Sequence, residues 1–158
     1  MQTQETLSLE EEKRFEELGR MAFNFARNNE VENLKTMIEA GLNVNLKTHK
    51  GDTLLMLASY NNSFETAQML LSKGAKVDEK NDRGQTPLAG VCFKGYLPMC
   101  KLLVENGANI DENNGLGMTP YTFAIMFGRT DIAKYLLESS KKSFLKRISL
   151  MILRVFKK

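Results

Sequence analysis

The 158-residue chain predicts an all-α repeat solenoid of about four helix-turn-helix units with β-turn fingers and an added helix at each end. Gly51, Gly84 and Gly117 stand 33 residues apart, and Thr53, Thr86 and Thr119 each follow by two places. A second series, Gly41, Gly74 and Gly107, keeps the same step. A period of this length, held without an insertion, belongs to an array in which each unit buries its apolar face on the next. With 42% hydrophobic residues the repeats can build a core if they share it, so one continuous stack is expected. Such arrays present an extended binding surface and seldom a catalytic pocket.

Residues 1–19 read as the N-terminal addition, a helix from Leu7 to Leu18 with Ser8 and Glu11 spaced as a capping box. Its Leu9, Phe15 and Leu18 are placed to cover the end of the stack. The first repeat, 20–46, keeps Phe25, Met37, Ile38 and Gly41 in phase; its Arg27, Asn28, Asn29 and Glu30 are polar, as in a terminal unit. Repeats follow at 47–79, 80–112 and 113–139. Thr86 and Thr119 are N-caps, and Pro87 and Pro120 take the first helical position, where a missing N–H costs nothing. Gly74 and Gly107 permit the left-handed turn that ends a helix. Leu70 with Leu71, Leu102 with Leu103 and Leu136 with Leu137 supply the buried stripe. Ala58, Val91 and Ala124 allow close helix approach.

From Asn81 to Asp111 the segment contains Gly-Gln-Thr-Pro-Leu-Ala-Gly-Val, then Lys-Leu-Leu-Val-Glu-Asn-Gly-Ala. This resembles the ankyrin repeat, whose pattern is a β-turn, Gly-x-Thr-Pro-Leu-His-x-Ala, a Gly-containing turn and a second helix ending Leu-Leu-x-x-Gly-Ala. The chain departs from it in two respects. The histidine that bridges neighbouring loops in the family is replaced by Phe23, Met56, Ala89 and Thr122, which implies weaker loops. Leu54 stands where repeat two would have its proline.

The resemblance also implies which residues meet a partner, because in such arrays the fingers and first helices form a concave face. The finger set is His49, Lys50 and Asp52, then Asp82, Arg83 and Gln85, then Gly115, Leu116 and Met118, all expected to face solvent. The helix-end set is Arg27 with Asn28, Tyr60 with Asn61, Phe93 with Lys94, and Met126 with Phe127. Tyr60, Phe93 and Met126 share one repeat position and are extended by Phe127, giving an apolar row of the kind that anchors partners. The same rings also suit packing between repeats.

Catalysis is not expected. The one histidine, His49, supports neither a triad nor a His-rich metal site, and no phosphate-binding glycine loop appears. Cys92 and Cys100 lack CxxC spacing and read as small buried residues in a reduced, cytoplasmic setting. Met1 to Glu12 shows no apolar core of a secretory signal. The first reading needs no cofactor. The alternative is haem, whose iron a tyrosine phenolate can hold, with Tyr60 as ligand and His49, Lys50 and Phe93 nearby. The resemblance adds to this, since short bacterial ankyrin proteins of about this length include accessory proteins encoded beside catalases that support haem supply and peroxide resistance. That implies catalase as a partner.

Residues 140–158 form a third segment. From 141 onward it holds seven Lys or Arg and no acid, leaving 15 basic against 19 acidic residues in the remainder. Phe144, Leu145, Ile148, Met151, Ile152, Val155 and Phe156 share one helical face, with Lys146, Arg147, Arg154 and Lys157 mostly opposite. This amphipathic helix is expected to cap repeat four over Ile132, Tyr135 and Leu136. Contact with an acidic partner or an anionic membrane surface is the other reading. Leu150 and Leu153 fall outside the main apolar arc. Nucleic acid is not expected, because the body is net acidic and carries no basic stripe.

Overall fold

The computed structural model describes residues 8–155, and the side chains among them except 146, 147 and 150–155. These residues form eight helices: α1 Leu9–Arg27, α2 Val31–Glu39, α3 Leu54–Tyr60, α4 Phe64–Ser72, α5 Pro87–Lys94, α6 Leu97–Glu105, α7 Pro120–Met126 and α8 Thr130–Val155. No strand occurs among the described residues, and one antiparallel bridge pairs Lys47 with Thr53 across a finger. The chain divides into two compact units, one up to Lys76 and the other from Val77. The first holds α1 to α4 and the second α5 to α8.

In the first unit α1 packs on α2 and α3, and α2 and α3 pack on α4, burying Ala22, Ala26, Leu34, Leu54, Leu55, Ala58, Ala67 and Leu70. In the second, α5 packs on α6 and α7, which both meet α8, around Leu88, Val91, Cys92, Met99, Leu103, Ala124, Ile132 and Leu136.

Thr53, Thr86 and Thr119 cap α3, α5 and α7, their hydroxyls accepting from the backbone of Met56, Ala89 and Thr122 at 3.1, 3.3 and 3.3 Å. Leu54 in place of proline does not prevent α3 from starting, so the cap suffices there. The tight turn between the two helices of each repeat contains a left-handed residue at one fixed position: Asn29, Asn62, Gly95 and Gly128, at φ 59, 58, 90 and 68°. Asparagine is the non-glycine residue that tolerates this conformation with little strain. At Gly95 a Cβ would lie 2.9 Å from Cδ and Nε of Arg129, whose Nε donates to the Phe93 carbonyl at 3.1 Å.

Such ties recur between the repeats of each unit. The Ser63 hydroxyl donates to the Arg27 carbonyl at 2.8 Å, and Asn29 Oδ1 accepts from both the N–H and the hydroxyl of Thr66 at 3.0 Å. In the second unit Asn114 Oδ1 accepts from the N–H and hydroxyl of Thr86 at 2.8 and 3.1 Å. The Asp78 carboxylate receives the Asn109 N–H at 3.0 Å, and Lys80 Nζ reaches the Glu112 carboxylate at 2.7 Å. The loops of the second unit are therefore bridged although the family histidine is missing. Where it would stand, Met56 and Ala89 are buried, and Thr122 completes a capping box with Thr119.

Both terminal segments differ from expectation. The Ser8–Glu11 capping box forms, but no break separates it from repeat one: α1 runs through residue 19 because Gly19 lowers helix stability without forcing a turn. The start expected at Leu7 lies outside the described residues. Leu9, Phe15 and Leu18 are exposed. Likewise α8 continues from repeat four into the tail, since Glu138 to Ser143 contains neither glycine nor proline. The tail therefore does not fold back as a cap. Ile132 and Leu136 are buried already by the packing of α8 on α6 and α7. Among the tail residues of the expected apolar face, Phe144, Leu145 and Ile148 are exposed; the side chains of Lys146, Arg147, Leu150, Met151, Ile152, Leu153, Arg154 and Val155 and all of Phe156 and Lys157 lie outside what is described.

Asn114→Ala leaves the buried Thr86 N–H without an acceptor, and a loss of about 1–3 kcal/mol in urea unfolding is expected; a parent-like midpoint would show that the bridge adds nothing. Burial pushes the Asp78 carboxyl above its ordinary value, offset in part by the Asn109 N–H. A carboxyl raised in the folded state stabilises fully below its unfolded value, and that contribution is lost as pH rises through the folded one. Asp78→Asn keeps an acceptor and removes the titration, so the melting temperature of the variant relative to the parent should rise with pH across the carboxylate range.

Candidate partner-binding surface

Each finger is a backbone loop closed on one polar side chain. Thr48 Oγ1 accepts from the N–H groups of Lys50 and Asp52 at 3.3 and 3.2 Å, while the Thr48 N–H donates to the Asp52 carbonyl at 2.9 Å. Asn81 repeats this with Arg83 and Gln85 at 3.0 and 3.1 Å. In the third finger Asn114 is committed to Thr86, and Asn113 Oδ1 takes over, accepting from Gly115 and Gly117 at 2.9 and 3.1 Å. Gly51, Gly84 and Gly117 sit at φ 76, 74 and 75°, a conformation that would strain most other residues.

This geometry divides each finger trio. The tip residues His49, Lys50, Asp82, Arg83, Gly115 and Leu116 are exposed, whereas Asp52, Gln85 and Met118 are half-buried. The expectation that all face solvent is corrected for the last three, because their carbonyls accept the bond that closes the loop. Leu116 stands apart: it is 102% exposed and holds φ at 52°, the left-handed region.

The helix-end set also separates. Tyr60, at the end of α3, is 44% exposed. The Asn61 amide beside it donates to the Leu57 carbonyl at 2.8 Å and so serves its own helix. In the second unit Phe93 is half-buried, meeting Phe127 edge-on at 4.5 Å between centroids, and Phe127 in turn lies parallel to Phe123 at 6.4 Å. Met126 and Phe127 remain exposed. The rings thus pack on one another and still present a surface. Lys94 is half-buried, with its ammonium 6.0 Å from the Tyr96 ring centre. Tyr121 and Ile125 on α7 add exposed apolar area that the repeat pattern did not single out.

The first unit contains a groove of about 1120 Å³. It is lined from α1 by Phe15, Leu18, Gly19 and Phe23, from the end of α2 and the following loop by Met37, Ala40, Leu42 and Leu46, and from the first finger by His49, Lys50 and Asp52. Arg20, Arg27, Lys47 and Lys50 outnumber Glu16 and Asp52 among its charged residues. The finger trio thus belongs to a concave apolar site. The α1 contribution was missed because Phe15 and Leu18 read as cover for the stack. Tyr60 is not among the residues that line this groove.

The thiols of Cys92 and Cys100 are buried, on α5 and α6. The hydrogen bond with Cys100, together with burial, pushes the Cys92 thiol far above its ordinary range. Cys92 is therefore held as the thiol, which is a poor nucleophile.

Comparison with known proteins agrees with this architecture. A family model described as ankyrin repeats (3 copies) matches residues 6–81, and one described as ankyrin repeats (many copies) matches residues 89–137. An ankyrin repeat protein of Pseudomonas aeruginosa is 44% identical over 45 residues, 28% of this chain. That stretch is 26% of the relative, so the match spans about a quarter of its length. With capped helix pairs and left-handed turns recurring at the 33-residue step, these matches make the chain a member of the ankyrin-repeat family.

Proposed function

We propose that the chain is a non-catalytic protein-recognition module whose partner seats an apolar segment in the groove of the first unit. The groove itself carries this reading. Its apolar lining sits beside exposed finger residues, an arrangement in which one or two buried side chains supply most of the binding free energy and the charged rim sets orientation. Burying a phenylalanine-sized anchor contributes about 1.5–3 kcal/mol. Four basic residues against two acidic ones favour a partner segment with carboxylates flanking the anchor.

The test is selection of a displayed peptide library on the full chain. Convergence on sequences with an apolar residue beside Asp or Glu is expected. Phe15→Ser and Lys50→Glu, both at exposed positions, should each lower the affinity of those peptides at least about tenfold without changing the melting temperature. Peptides that bind both variants as well as the parent would place the contact elsewhere.

The second unit offers a separate contact at Leu116. A leucine held left-handed and fully in water contributes nothing to packing, and such an outlier points to use at a surface. Leu116→Asn should raise folding stability by about 0.5–1 kcal/mol, because asparagine accepts the conformation more readily. The same change should weaken capture of a partner that touches this finger. A drop in stability on calorimetry would refute the strain.

A further inference from the structure

We propose that the part of α8 beyond repeat four is an in-plane anchor for an anionic lipid surface. This is independent of the groove, which lies in the other unit. α8 is one helix of 26 residues, about 39 Å long, and its repeat-packing portion ends near Leu136. Leu137, Phe144 and Ile148 fall within about 40° of one another around the axis, roughly 120° away from the buried Ile132 and Leu136. The second stripe is thus not a continuation of the seam that holds α8 to the repeats. Its members are exposed, as is Leu145 beside them.

The charge indicates what meets this stripe. Residues 141–158 carry seven cations and no carboxylate, and Lys141 and Lys142 are exposed next to Phe144 and Leu145. A protein groove that held this helix would need acids placed opposite its individual cations to fix the register. A run of a single sign needs no register and matches a diffuse anionic surface, where cations meet headgroups while the apolar side chains enter the acyl boundary. No described helix is long and apolar enough to cross a bilayer, so the mode is interfacial.

The experiment is co-sedimentation of the full chain with vesicles of phosphatidylcholine alone and with phosphatidylglycerol added. The bound fraction at fixed lipid should be roughly tenfold or more higher on the anionic vesicles and should fall as salt is raised. Phe144→Ser with Ile148→Ser, and separately Gln at Lys141, Lys142, Lys146 and Arg147, should each reduce binding about tenfold with the melting temperature unchanged. Equal partitioning into both vesicles, no binding to either, or insensitivity to these substitutions overturns the proposal. Self-association in lipid-free buffer that the Phe144/Ile148 variant abolishes, without vesicle binding, would assign the stripe to a second copy. Saturation by an acidic amphipathic peptide, again without vesicle binding, would assign it to a protein.

Discussion

Six of the eight described helices, α2 to α7, are only seven to nine residues long, too short to persist alone in water. Everything else depends on that constraint. A helix of two turns gains stability only by burying an apolar face on its neighbours, so α3 needs α1 and α4, and α5 needs α6 and α7. Such burial requires each turn to return the chain at one angle. The left-handed residues at 29, 62, 95 and 128 provide it, two as asparagine and two as glycine.

The fingers are held by a different class of interaction. Thr48, Asn81 and Asn113 each place a side-chain oxygen under two backbone N–H groups, so the loop is fixed from within. The tips are then free to vary in chemistry without loosening the fold. His49 and Lys50, Asp82 and Arg83, and Gly115 and Leu116 differ in charge and size while the same backbone bond, from residue 48, 81 or 114 to the carbonyl four places on, closes each loop. Binding surface and stability are thereby separated at the level of single atoms, and Leu116 is the tip where the separation is incomplete, since its backbone is strained as well.

Repeat geometry was legible in the sequence because its determinants are local. Thr86 and Thr119 are the N-caps their position predicts, and Gly74 and Gly107 have the positive φ that ends a helix. What was not legible depends on the absence of a signal or on contacts distant along the chain. No residue announces that α1 runs through residue 19 or that α8 runs past residue 140; only the lack of a breaker permits it. Nothing in the repeat pattern singles out Asn114, and its bond to Thr86, 28 positions away, follows from packing. The groove was hidden for a related reason. Phe23, Leu42 and Leu46 have the composition of a core, and only the path of the first finger beside α1 leaves them facing an open space.

α1 and α8 are 19 and 26 residues long, two to three times the length the repeat requires. In each, the part that packs against the repeats is close to ordinary size: Ala22 and Ala26 in α1, Ile132 to Leu136 in α8. The exposed apolar residues Leu9, Phe15 and Leu18, and Phe144, Leu145 and Ile148, fall in the excess. Extending a helix keeps its backbone hydrogen bonds satisfied, so the added turns are structurally permitted. Leaving large apolar side chains in water forgoes about 25 cal/mol for every Å² that burial would have removed. The fold of the repeats gains nothing from them in return. The two excess segments, one bordering a groove and the other carrying seven cations and no acid from residue 141 onward, are suited to different contacts.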